Sequence, residues 1–172
     1  MPRRKRPAPA LPDAGLNDGI TRRAAEPRDL DAVARIWLDG WLSTGITLSQ
    51  QPDYPLLRGR IEREIAGGWQ IVVAMIDGQV AGFVAINRSA AVLEQIFVDP
   101  RFHRRGVGTA LLKAARAEMP GGFTLWTHGD NRRAAVFYER SGMTLVSHGI
   151  HPRQSHAIIT YGFGPVSSGE PA

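Results

Sequence analysis

Apolar residues follow two rhythms along the chain. Between Trp69 and Val98 they come as three nearly continuous, β-branched-rich runs, Trp69–Ile76, Val80–Asn87 and Val92–Val98. Runs of this kind predict strands, and Asp77-Gly78-Gln79 between the first two predicts a hairpin. Elsewhere the apolar spacing lengthens to three and four. Leu30, Val33, Ala34, Trp37 and Trp41 mark an amphipathic helix that begins at Glu26-Pro27-Arg28-Asp29, where proline is tolerated and acids meet the positive helix end. Leu57, Ile61 and Ile65 mark a second helix, stopped by Gly67-Gly68. A third, Val107–Met119, would bury Val107, Leu111, Ala114 and Ala115 and end at Pro120-Gly121-Gly122. Further strands are expected at Ile20–Ala24, Phe123–Thr127, Met143–Ser147 and Ala157–Phe163, with a helix over Asn131–Arg140. Ser43–Pro55, polar and broken by Gly45 and two prolines, reads as a loop. The pattern is α+β: a twisted, mostly antiparallel sheet of about six to seven strands with helices on both faces.

A chain of 172 residues with 43% hydrophobic content is long enough for one domain with a proper core. Residues 1–19, rich in Pro, Ala and Arg, read as a disordered basic arm, residues 20–163 as the folded domain and 164–172 as a flexible tail. The chain has no apolar run of about 18 residues and no apolar leader at its start, so a cytoplasmic protein without membrane contact is expected. Cysteine is absent, which excludes disulfides and thiolate chemistry. The net charge of +5 owes much to Arg3, Arg4, Lys5 and Arg6; without them 17 basic residues face 16 acidic ones. The body is therefore nearly neutral, and nucleic acid is not an expected partner except through the arm.

The chemistry concentrates in VLEQIFVDPRFHRRGVGTALLKAARAEM, Val92 to Met119. A strand ends at Val98, a short basic loop with Gly106 and Gly108 follows, and a helix begins. This is the order of a phosphate cradle, in which backbone N–H groups and the positive helix end face an anion. The P-loop is excluded because no Lys precedes Thr109, and the dinucleotide fingerprint because its third Gly and distant acid are missing.

The six residues His103, Arg104, Arg105, Gly106, Val107 and Gly108, preceded by Val98-Asp99-Pro100, resemble motif A of the Gcn5-related N-acetyltransferase superfamily, with His in place of the usual first Gln or Arg. Downstream, Asn131 to Met143 (NRRAAVFYERSGM) resembles motif B, with Asn131 and Tyr138 two helical turns apart on one face. The resemblance covers roughly residues 20 to 163 and implies the acetyltransferase fold, acetyl-CoA as co-substrate, no metal, and transfer to a primary amine; a homodimer is compatible with it. By this resemblance Ile96, Phe97 and Val98 supply main chain to the thioester, and His103, Arg104, Arg105, Gly106, Val107, Gly108 and Thr109 hold the pyrophosphate. Asn131 would bind the pantetheine arm, and Tyr138 would also touch the cofactor as the general acid.

The resemblance also implies a carboxylate base at Glu94, four residues before Val98 in an apolar strand, with His128 as a second candidate and water as a third. Trp37, Trp41, Thr44, Asp53 and Tyr54 are candidates for acceptor contact, and Arg132 and Arg133 read as a solvated helix face. Trp126 stands where some acetyltransferases of peptide N-termini carry a Glu, which favours a small-molecule amine. The alternatives are a protein lysine, a protein N-terminus or aminoacyl-tRNA as acceptor, or a non-catalytic module that senses acyl-CoA or binds nucleic acid. His148, His151 and His156 cluster in sequence without the spacing of a metal site.

Overall fold

The computed structural model describes residues 19–48 and 50–165. The expected basic arm therefore lies almost wholly outside the described residues, as does most of the tail. The elements are β1 (Thr21–Ala24), α1 (Leu30–Leu42), α2 (Tyr54–Ala66), β2 (Gln70–Ile76), β3 (Gln79–Asn87), β4 (Val92–Val98), α3 (Val107–Glu118), β5 (Phe123–His128), α4 (Arg132–Arg140), β6 (Thr144–Ile150) and β7 (Ala157–Phe163). They build one seven-stranded sheet in the order β1-β2-β3-β4-β5-β7-β6. Every neighbouring pair is antiparallel except β4 and β5.

Local chemistry explains the joints. Asp77 and Gly78 form the two-residue turn of the β2–β3 hairpin with φ of 48° and 74°, the double left-handed conformation that matches strand twist. The start of α1 is fixed by Asp29, whose carboxylate accepts from Arg23 at 2.6 and 3.0 Å and from the Glu26 N–H at 2.7 Å. The helix α2 begins at Tyr54, earlier than the apolar spacing indicates. Asp53 is its N-cap, accepting from the Leu56 N–H at 2.8 Å, and Pro55 sits in the first turn, where its missing N–H costs nothing.

Two cores flank the sheet. On one face α3 and α4 bury Val107, Leu111, Ala115 and Tyr138 against Val84, Leu93, Leu125 and Tyr161. On the other, α1 and α2 bury Val33, Trp37, Leu57 and Ile61 against Val73, Phe83 and Trp69. The β3–β4 register shifts where Leu93 faces Ile86 and Gln95 faces Ala85, leaving Glu94 as the extra residue of a bulge. That insertion switches the alternation: Leu93 and Ile96 pack toward α3, Phe97 toward α1. Among the described residues no helix is long and apolar enough to cross a membrane.

Candidate active site

β4 and β5 run parallel and pair only at Val92–Thr124. Beyond that point the strands separate, and a cleft of about 310 Å³ opens among the end of β4, the start of α3 and α4. Its lining brings together Ile96, Phe97, Val98, His103, Arg104, Gly106, Val107, Gly108, Thr109, Asn131, Tyr138 and Thr44. Two segments, one ending at Thr109 and the other resuming at Asn131, thus share one cavity.

The cleft meets a helix N-terminus with nothing to cap it. Gly106 is the N-cap of α3 and offers no side chain, and the first helical bond runs from Ala110 N–H to Gly106 carbonyl at 3.0 Å. The N–H groups of Val107, Gly108 and Thr109 precede that bond and have no intrahelical acceptor. An anion fits there: three donors and the positive helix end converge on a cavity, with the Arg104 side chain alongside.

The two glycines serve this geometry differently. Gly106 has φ +81°, and a Cβ there would meet nothing closer than Ile20 Cδ1 at 3.9 Å, so the backbone conformation alone calls for glycine. Gly108 is ordinary helix, and a Cβ there would press on the Phe137 ring at 3.3 and 3.4 Å. It lets α4 approach α3. Arg104, with φ +63°, completes the turn in a conformation that costs a non-glycine residue about 1 kcal/mol or more.

His103 spans the mouth. Its Nε2 lies 3.2 Å from the Val98 carbonyl and its Nδ1 2.8 Å from Arg133 Nη2. One tautomer satisfies both contacts, with Nε2–H donating to the carbonyl and Nδ1 accepting from the guanidinium. Burial, then the charge of Arg133, lower its pKa from 6.5 and hold the ring neutral.

Tyr138 is 6% exposed, with rings of Phe137 and Tyr161 at 5.4 and 5.5 Å. Burial, and to a lesser degree Tyr161, push its phenol well above the usual value of 10, so it carries its proton throughout the physiological range. Asn131 uses its Oδ1 to cap α4, accepting from the Ala134 N–H at 3.1 Å, which leaves its amide N–H₂ for another partner.

Other expected residues lie elsewhere. Glu94 sits on the α1–α2 face of the bulge, half-buried beside Glu64, Arg60 and Trp69. Burial, then Glu64, raise its pKa from 4.5, against the opposing pull of Trp69 and Arg60. Trp37 is 4% exposed and packs at 5.9 Å from Trp69 and 6.3 Å from Phe83 and Phe97; it is core, not a cleft surface. The Trp41 indole donates to Gln51 Oε1 at 3.0 Å and braces the α1–α2 loop. Tyr54 packs against the α1–α2 core with the Arg35 guanidinium 5.7 Å over its ring, and Asp53 is a cap. Arg105 lies over Phe102 at 5.5 Å, outside the cleft lining. His128 belongs to β5, 8% exposed and stacked on His156, also outside it.

The structure adds residues that the pattern does not announce. Arg133 lines the cleft rather than facing solvent alone, and Phe137, Ala134, Phe102, Ser43 and Gly40 join it. Gly40 carried a legible signal, a glycine inside a helix: a Cβ there would lie 2.5 Å from Phe97 Cδ1. A second basin between α3 and α4 adjoins the cleft, rimmed by Arg104, Lys113, Arg116, Arg133 and Arg140. His156 stacks between His128 and His151, and among the described residues no group of three or more His, Cys, Asp or Glu is placed to hold a metal.

The acetyltransferase (GNAT) domain family matches residues 67–142, which hold β2 through α4 and so most of the cleft. The chain is 31% identical over 130 residues to a mycothiol acetyltransferase of Amycolatopsis mediterranei (strain U-32), an alignment covering 73% of this chain and 41% of that protein. It thus spans about two fifths of the length of that curated relative. Among solved structures, yncA of Salmonella typhimurium with acetyl-CoA superposes with a TM-score of 0.66 at 17% identity, covering 89% of this chain and 98% of that one. A PaiA N-acetyltransferase of Thermoplasma acidophilum in complex with coenzyme A gives 0.65 at 19%, covering 84% and 99%. Family match, sheet order and split strands agree in placing an acetyltransferase (GNAT) domain match over residues 67–142, on the fold of the solved N-acetyltransferases.

Proposed function

We propose that the chain is an acetyl-CoA-dependent N-acetyltransferase that moves an acetyl group directly to a primary amine of a small molecule. The observation that carries this reading is the uncapped N-terminus of α3 opening into the cleft between β4 and β5. Acetyl-CoA, when bound, supplies the activated acyl group as a thioester.

The chain's own groups divide the remaining work. The N–H groups of Val107, Gly108 and Thr109 hold the diphosphate, and the cationic rim of Arg104, Lys113, Arg116 and Arg140 suits a further phosphate. The Asn131 amide orients the pantetheine arm. Main chain of Ile96 to Val98, on the β4 edge that β5 leaves unpaired, donates to the thioester oxygen as it gains charge. Tyr138 carries its proton at neutral pH and donates it to the leaving sulfur. Glu94, on the opposite face of β4, takes the proton of the attacking ammonium through water, and its raised pKa brings it nearer the working range of a base.

The small-molecule acceptor draws support from the name of the Amycolatopsis relative and from Trp126 at the position of the peptide-type Glu. Thr44, at the cleft margin, is the best placed of the acceptor candidates. The test is release of free thiol from acetyl-CoA by the full chain across a panel of small amines. Release that depends on an amine supports the reading. Firm acetyl-CoA binding with no amine-dependent release from any small amine or peptide would replace it with a sensor of acyl-CoA.

A further inference from the structure

At the far end of β5 three imidazoles form a column. His156 lies in the middle, 4.3 Å from His128 with ring planes 17° apart and 5.0 Å from His151 with planes 18° apart. Trp126 closes the column edge-on, 4.9 Å from His151 at 61°. The contacts join two elements: Trp126 and His128 belong to β5, whereas His151 and His156 flank the β6–β7 turn. The junction is tight, since the Gly129 N–H donates to the Ala157 carbonyl at 2.7 Å and a Cβ on Gly129 would stand 2.9 Å from Ala157 Cβ.

Main-chain donors hold the two outer rings by Nδ1. His128 Nδ1 accepts from the Asp130 N–H at 3.2 Å, and His151 Nδ1 accepts from the N–H groups of Arg153 and Gln154 at 3.2 and 3.1 Å. Each therefore keeps its lone pair on Nδ1. Both ring nitrogens of His156 are sealed from solvent without a hydrogen-bond partner among the described residues. A proton there would find no water, no acceptor and an imidazole on either side. Burial, then His128 and His151, accordingly lower its pKa from 6.5. The carboxylate of Asp130 stands 3.7 Å from the outer ring, His128, and is 84% exposed, so it offers His156 little compensation.

The column connects to the cleft through main chain. The His128 carbonyl accepts the Asn131 N–H at 2.9 Å, and Asn131 both caps α4 and lines the cleft. We propose that His156 is a positioning residue: unprotonated, it clamps the β6–β7 turn onto the end of β5 and so fixes the turn that starts α4, and its protonation releases the clamp. This inference concerns the fold's own proton response and does not depend on the acetyl-transfer reading.

The test is NMR of the full chain labelled in histidine and tryptophan, titrated from about pH 8 to about pH 5. W126F assigns the Trp126 indole signal. His156 should titrate below 6.5, and the Trp126 indole and the amides of the β6–β7 turn should shift with the His156 midpoint. H156F, which keeps a flat ring but has no proton to bind, should abolish that shared shift. A His156 midpoint at or above 6.5, an indole that stays put while His156 titrates, or an unchanged response in H156F would overturn the proposal. The parent titration decides the matter alone if H156F does not fold.

Discussion

Arg133 Nη2 donates to His103 Nδ1 across 2.8 Å, tying α4 to the loop that precedes α3. The bond exists only while His103 is neutral, and its other nitrogen is held by the Val98 carbonyl. One imidazole thus links the end of β4, the loop before α3, and α4.

Two consequences follow for binding and for pH. R133A should weaken acetyl-CoA binding about tenfold, the scale of one charge-assisted hydrogen bond, as read by calorimetry. Because the folded pKa of His103 lies below 6.5, its contribution to stability is complete above 6.5 and is lost as pH falls through the lowered value. The unfolded state then takes up the proton first. Melting of H103Q should therefore depend less on pH below 6.5 than melting of the parent; equal slopes would remove His103 from the account.

Gly106 and Gly108 should fail for different reasons when changed to alanine. Gly106→Ala costs about 1 kcal/mol through the left-handed backbone alone. Gly108→Ala is strained by the Phe137 ring, so F137L should relieve it while leaving the Gly106 defect intact. A double-mutant cycle on melting temperatures separates the two. Coupling of Phe137 to Gly106 rather than Gly108 would show the packing assignment to be mistaken.

Tyr138→Phe should lower turnover by about a hundredfold or more with little change in acetyl-CoA affinity, since it removes a proton donor and keeps the ring. Loss of affinity with normal turnover would make Tyr138 a packing residue.

Glu94→Gln should trade activity for stability. The folded pKa of Glu94 is raised, so its ionised form costs the fold stability as pH climbs above 4.5. The amide removes that cost, and E94Q should melt higher than the parent at neutral pH while its turnover loses the rise that follows Glu94 ionisation. A variant that melts lower and turns over normally would argue for a structural ion pair with Arg60.

Much of this architecture is legible in the sequence because local and tertiary signals coincide. The β-branched runs of β2 to β4 and the Asp77-Gly78 turn specify the hairpins without help from the core. The loop before α3 is readable because Gly106 takes a left-handed φ that glycine adopts without the cost a side chain adds. The start of α2 was less so: Asp53 and Pro55 suit a loop as well as a helix entry, and the helix wins through its buried Leu57 and Ile61. Trp37 shows the limit of periodicity, which gives a residue's face but not whether that face meets a cavity or a core. Arg133 and the histidine column were hidden for a related reason. Their partners lie far away in sequence, and His128 meets His156 only because β7 inserts between β5 and β6. The β4 bulge likewise leaves no trace in composition, yet it decides which side of the sheet Glu94 faces.

The most direct test is thermal melting of the parent and of Gly108→Trp, with and without acetyl-CoA. At a hundred times its dissociation constant the ligand should add about 2.7 kcal/mol to the parent. The account predicts a clear upward shift in the parent and none in a folded Gly108→Trp, whose indole must displace the Phe137 ring that lines the cleft. A folded parent that does not shift, or a mutant that shifts equally, would contradict binding at the start of α3.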